Sequence, residues 1–141
     1  MSTVMDLTIV SAEENLYSGQ VQMISVTGGL GELGIYPGHT PLLTTMKPGQ
    51  IKARLDDGEE KIFYISGGML EVQPKQVIVM ADTAQRAEDL DEAVAQMAKE
   101  RAEKAIEDNK SELEYSKALA ELAQAAAQLR AIKSLRKKGR S

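Results

Sequence analysis

His39 is the one imidazole in the chain, and so the one side chain whose ordinary pKa suits proton transfer near neutral pH. It stands in Tyr36-Pro37-Gly38-His39-Thr40-Pro41, where no local motif supplies an orienting carboxylate or a nucleophile. A general base needs both, so a loop histidine that makes a hydrogen bond or touches a partner is the favoured reading. With no second histidine and no cysteine, disulfides, thiolate chemistry and a transition-metal site lack their usual ligands. The run Gly28-Gly29-Leu30-Gly31-Glu32-Leu33-Gly34 invites comparison with a phosphate loop. Such a loop needs a helix directly behind it, whereas Pro37 and Pro41 follow here and no Gly-Lys-Ser/Thr occurs. A surface turn that lets another chain approach its backbone fits better. Asp91, Glu92, Glu100, Glu103 and Glu107 read as a solvated helix face, with Glu100 and Lys104 at the favourable i,i+4 spacing.

Charge is the remaining chemical signal. Residues 130–141 hold Arg130, Lys133, Arg136, Lys137, Lys138 and Arg140 and no acid, leaving 11 of the 17 cations against 21 acids in residues 1–129, a net of −10. Cations near a helix C-terminus favour its dipole, but six without one acid exceed that need and point to an acidic partner. The overall charge of −4 argues against general nucleic-acid binding. No apolar run approaches the ~18 residues of a membrane span, and the start, Met-Ser-Thr-Val-Met-Asp, lacks a signal-peptide layout. The expected setting is cytoplasmic, with any membrane met only through partners.

The elements that must position these residues change character near Thr83. All four prolines and every glycine but Gly139 precede it, while residues 89–135 contain neither. The first part predicts short strands: 7–10, an alternating 21–26, and 51–55 turning through Asp57-Gly58 into 61–65, then 69–72 and 76–81. An antiparallel β-sandwich over residues 1–84 follows, with an aliphatic core because Phe occurs once and Trp never. Residues 85–141 predict a two-helix antiparallel hairpin. Asp89 with Glu92, and Ser111 with Glu114, have capping-box spacing, and polar residues 107–110 supply the turn. The expected apolar stripes are Leu90, Val94, Met97, Ala98, Ala102, Ala105 and Ile106 on one helix, and Tyr115, Leu119, Leu122, Ala126, Leu129 and Ile132 on the other. A seam so rich in alanine buries about one methyl per position; the favoured reading is that alanine makes good helix and lets two helices pack closely, and the sharper one is a weakly docked hairpin able to open.

Residues 31–44, Gly-Glu-Leu-Gly-Ile-Tyr-Pro-Gly-His-Thr-Pro-Leu-Leu-Thr, resemble the signature of the ε subunits of bacterial F-type ATP synthase. The likeness continues through Tyr64-Ile65-Ser66-Gly67-Gly68-Met69-Leu70-Glu71-Val72, Ala81-Asp82-Thr83-Ala84, Leu90-Asp91-Glu92-Ala93, Glu121-Leu122-Ala123 and Ala127-Gln128-Leu129-Arg130. It implies a ten-stranded β-sandwich followed by a helical hairpin, in a non-catalytic rotor subunit seated beside the γ subunit on the ring of c subunits. By the same resemblance, Gly31 and Glu32 would meet the c-ring, and His39 and Thr44 lie near the γ contact. The hairpin would either fold on the sandwich or extend and block ATP hydrolysis by the α/β catalytic head, with Arg130, Lys133, Arg136 and Lys137 touching acidic loops there. Extended as one helix, residues 89–138 would span about 75 Å, against about 35–40 Å for the longer arm of a folded hairpin. Leu30 stands where an acid or polar residue is common in close relatives. Some relatives bind ATP through Ile/Leu-Asp-x-x-Arg-Ala; here Leu90, Asp91 and Ala95 fit, but Val94 replaces the arginine, and an apolar side chain cannot donate to phosphate. Weak or absent ATP binding and no other cofactor are expected. Two further readings compete: a free-standing β-sandwich adaptor using its basic tail on nucleic acid or anionic lipid, and a small hydrolase built on His39.

Overall fold

The computed structural model describes residues 4–29, 31–108 and 111–138. Among these residues nine strands precede one 3-10 turn and two helices. In chain order they are β1 (Met5–Val10), β2 (Asn15–Val21), β3 (Met23–Gly28), β4 (Gly31–Ile35), β5 (Leu42–Arg54), β6 (Glu60–Ile65), β7 (Gly68–Gln73), β8 (Gln76–Ala81) and β9 (Ala84–Arg86). The turn covers Ala87–Asp89, and the helices are α1 (Glu92–Glu107) and α2 (Glu112–Lys138).

The long strand β5 joins the two layers. Its first half pairs with β7 at Leu42↔Val72 through Met46↔Gly68. Its second half pairs with β6 at Gly49↔Ile65 through Arg54↔Glu60, and with β3 on its other side. One layer is therefore β2-β1-β8-β7-β5 and the other is built on β4, β3, β5, β6 and β9. The strand count is nine among the described residues where the resemblance implies ten; β5 serves both layers as one strand. Nor is the pairing wholly antiparallel, since β1 runs parallel to β8, with Leu7 beside Val77 and Ile9 beside Val79.

Alternation decides what goes inside. Met5, Leu7 and Ile9 of β1 are buried, as are Val77, Val79 and Ala81 of β8, and they join Ile24, Val26, Ile51, Phe63, Ile65, Leu70 and Val72 in one core. The single Phe contributes its ring there, tilted 55° against Tyr17 at 5.4 Å between centroids. The expected strand over 21–26 is instead two: Val21 ends β2, Gln22 forms a bend, and Met23 starts β3. Gln22 N donates to Arg54 O at 2.7 Å, which ties the bend to the end of β5. The alternation was real, but the chain bends inside it and passes from one layer to the other. Gly68 is demanded by space: its φ is +140°, and a Cβ there would lie 2.2 Å from Met80 O.

Helix α1 begins later than the Asp89–Glu92 spacing suggests. Residues 87–89 are used by the 3-10 turn, which tucks Ala87 beneath α2, and Leu90 is extended. Asp91 is the cap, its carboxylate accepting from Val94 N at 3.1 Å. Ser111 caps α2 as expected, its Oγ accepting from Glu114 N at 3.1 Å. Asn109 and Lys110 of the expected turn lie outside the described residues. Strand structure persists to Arg86 through the β6–β9 pairing, two residues past the division expected at 84.

The expected helix stripes hold in part: Ile132 is buried and Leu90, Ile106, Leu122 and Leu129 are half-buried, but four bulky members are overturned. Val94 and Met97 are 62% and 61% exposed, and Tyr115 and Leu119 also face outward, whereas Ala95, Ala102, Ala118, Ala125, Ala127 and Ala131 are buried. Alanine allows two helices to approach so closely that the larger side chains on either flank are pushed to solvent. Ala98 with Ala125, and Ala105 with Ala118, line gaps along this seam. A second set on α2, Ala127 and Ala131 with the half-buried Leu135, rests on Ile62, Tyr64, Ala87 and Leu90 of the sandwich side.

Candidate functional site

The β3–β4 hairpin closes with Gly28 opposite Gly31, so only residues 29 and 30 bridge the strands. Gly31 has φ +133°, open to glycine and strained for other residues. Gly29 N donates to Thr45 O at 3.0 Å, which ties the tip back to β5. Glu32 is exposed opposite Thr27. Leu30 lies outside the described residues. Among the described residues of this hairpin Glu32 is the one carboxylate, and β4, a strand, follows the turn where a phosphate loop would need a helix.

His39 sits in a turn secured at three points. His39 N donates to Tyr36 O at 3.1 Å, and Gly38 N donates to Pro74 O at 2.7 Å. The ring contributes the third bond, Nδ1 lying 2.6 Å from Thr40 O. A carbonyl can only accept, so Nδ1 carries the proton, a tautomer assignment that follows from the partner. The ring is thus oriented by a backbone carbonyl and not by a carboxylate. Thr44 lies on the half-buried side of β5, its Oγ1 donating to Thr45 O at 3.3 Å, while Leu43 and Thr45 point outward.

What the sequence reasoning missed surrounds that turn. The register sets Leu43 beside Glu71, Ile78 and Thr8, and Thr45 beside Met69, Met80 and Val10, across four strands. Leu43 is 63% exposed, Met80 41% and the neighbouring Tyr36 58%. The outer face of this layer is therefore apolar where a solvated sheet face is ordinarily polar. The signal was present in β8, Gln-Val-Ile-Val-Met-Ala, whose near-continuous apolar run implies cover on both faces; the core covers only one.

Arg130, Lys133 and Lys137 lie exposed on α2. Arg136 is tied down: its guanidinium pairs with Glu92 in the first turn of α1, with both side chains substantially solvated. Arg140 lies outside the described residues. The Leu90–Ala95 stretch is occupied structurally. Leu90 packs at the docking cluster, the Asp91 carboxylate caps α1, and Ala95 is buried in the seam, leaving Val94 pointing to solvent. Asp91 is thereby committed to capping α1 and Ala95 is buried, and nothing cationic stands at position 94 to meet a phosphate.

Between α2 and the sandwich, Tyr64 is 2% exposed and its hydroxyl bonds the Gln128 side chain. Burial pushes the Tyr64 phenol above its ordinary pKa, opposed by that hydrogen bond. Among the described residues no group of three or more His, Asp or Glu is placed to hold a metal ion, and no helix is long and apolar enough to cross a membrane.

Residues 4–87 match the family described as ATP synthase, Delta/Epsilon chain, beta-sandwich domain, and residues 88–133 match its long alpha-helix domain. Among curated proteins, the ATP synthase epsilon chain of Nitrosococcus oceani is 53% identical over 98% of this chain and 99% of its own length. That of Legionella pneumophila strain Corby is 54% identical over 98% of this chain and 99% of its own. Among solved structures, a chain of the Euglena gracilis mitochondrial ATP synthase, OSCP/F1/c-ring, superposes with TM-score 0.75 at 22% identity, covering 97% of this chain and 82% of that one. A chain of the Tetrahymena thermophila mitochondrial ATP synthase central stalk and c-ring gives 0.66 at 16% identity, covering 91% and 96%. At those identities the two structures speak to the fold alone.

Proposed function

This chain belongs to the delta/epsilon family of ATP synthase subunits, and on that premise we propose that it is a non-catalytic central-stalk subunit that couples ion translocation to ATP synthesis and restrains ATP hydrolysis through its helical arm. The observation that carries this reading is the contrast between the two halves. The sandwich has a continuous core of large aliphatic side chains, whereas α2 rests on it through two alanines and one half-buried leucine. A Leu gains roughly 2 kcal/mol on full burial and an alanine methyl about 0.8, so the arm separates long before the body unfolds.

In this reading the apolar outer face around Leu43, Met69 and Met80, bordered by the His39 turn, packs on the γ subunit. The Gly31–Glu32 tip meets the c-ring, and the chain reaches the cytoplasmic face of the membrane only through these partners. When the arm lifts, Arg130, Lys133, Arg136 and Lys137 meet acidic loops of the α/β head. Arg136 must first leave Glu92, so the folded arm and the inhibitory contact compete for one guanidinium. Helix α2 alone, 27 residues, spans about 40 Å, the reach this contact calls on. The loss of the arginine at position 94 supports weak or absent ATP binding by the isolated chain; calorimetry with a Kd below about 0.1 mM, near 5.5 kcal/mol, contradicts it.

The test of function is ATP hydrolysis by the assembled synthase carrying the chain truncated after Asp89. Faster hydrolysis supports the restraint; an unchanged rate removes it.

A further inference from the structure

One polar atom is out of place at the docking interface. Gln50 lies opposite Tyr64 in the β5–β6 register. Its side chain therefore leaves the same face of the sheet as Tyr64, the face on which Ala127 and Ala131 of α2 lie, while its neighbour Ile51 points into the core. Tyr64 and Gln128 bond to each other. Gln50 Oε1 is buried and has no hydrogen-bond partner, the one such side-chain atom among the described residues.

We infer that Gln50 is a built-in bias toward release of the arm. In the docked state its amide oxygen is stripped of water and given nothing in return; when α2 lifts, water reaches it. A buried acceptor left without a partner shifts such an equilibrium by about 5- to 150-fold toward the state in which it is solvated. Helix α2 brings two alanines and one half-buried leucine to this interface, so a shift of that size is large beside what its own side chains contribute. The bias is a property of the isolated chain. Its consequence for ATP hydrolysis rests on the reading proposed above.

The absence of cysteine makes the test simple, because one introduced thiol is unique. In full-length chain carrying Ala131→Cys, the rate of labelling by a thiol reagent measures how often the α2 interface opens; in chain carrying Val79→Cys it measures opening of the sandwich core, both positions being fully buried. Adding Gln50→Met, close in shape but without the amide, slows labelling at position 131 by about 5- to 150-fold and leaves position 79 unchanged. Gln50→Leu, a second apolar replacement, acts in the same direction. Labelling at 131 that is unchanged in both variants, or that slows equally at 79, overturns the inference. In the assembled synthase Gln50→Met raises ATP hydrolysis. Slower labelling with unaltered hydrolysis upholds the bias in the chain and refutes the inhibitory role of the arm instead.

Discussion

Replacing Ala131 by Leu tests the docking interface where it is tightest. Ala131 has no exposed surface and belongs to the cluster that joins α2 to Ile62, Tyr64 and Ala87. Leucine adds three carbons where no space is open, and overpacking of this kind costs about 1–3 kcal/mol. The methyls of Ala127 and Ala131 together contribute about 1.6 kcal/mol of burial, so the added strain is of the same size as what they supply. The strain is relieved by lifting α2 and leaving the sandwich intact, and the population of lifted arm rises by about 5- to 150-fold. Limited trypsin digestion of the folded chain reads that population, because cleavage tracks the open fraction when opening and closing outpace it. The helices offer Arg101, Lys104, Lys117, Arg130 and Lys133 as sites. Faster cleavage at these positions, with fragments of the sandwich still resistant, is the expected result. Cleavage at the parent rate refutes the close-packed interface, and parallel loss of the sandwich refutes its independence from the arm.

Glu92→Gln removes the ion pair with Arg136; an exposed pair contributes about 0–1 kcal/mol, so arm opening rises by no more than about five-fold, less at high salt, and Glu92→Arg combined with Arg136→Glu restores it. Phe63→Ala empties the middle of the sandwich, with Tyr17 losing its ring partner, and lowers stability by about 3–5 kcal/mol, read as the denaturant midpoint. Gly68→Ala brings a Cβ against the Met80 carbonyl at a strained φ and costs more than about 2 kcal/mol in the same measurement. Docking also weakens in alkali. The Tyr64 pKa in the docked state is raised above 10.0, so its contribution is fully present below pH 10 and lost as pH rises through the folded value; trypsin cleavage of the arm accelerates there, and Tyr64→Phe abolishes the alkaline dependence.

The parts of the fold legible in the sequence are those in which local pattern and final environment agree. Strand β7, the Asp57-Gly58 turn and the Ser111 cap follow from alternation, turn residues and capping spacing because nothing distant competes with them. Three features depended on partners far along the chain. Gln22 is a bend because its N–H is claimed by Arg54, and an unbroken alternation cannot register that. The start of α1 moved because Ala87 is buried under α2, which takes the preceding turn out of the helix. Val94 and Met97 had helical spacing but face solvent because the smaller alanines let the helices meet first. At the candidate surfaces, residue identity was readable and pairing was not: Arg136 counted as a free cation until Glu92 appeared beside it. The outer apolar face around Leu43 and Met80 was passed over because an apolar run on β8 looks the same whether its second face meets core or partner.

The proposed role requires that the chain be mounted on a larger machine by its sandwich. Affinity purification of the tagged, full-length chain from detergent-solubilised membranes, followed by identification and quantification of its companions, measures that directly. The expected result is stoichiometric recovery of a γ-type shaft subunit together with c subunits and the catalytic α/β head. Recovery of the chain without a γ-type subunit contradicts it.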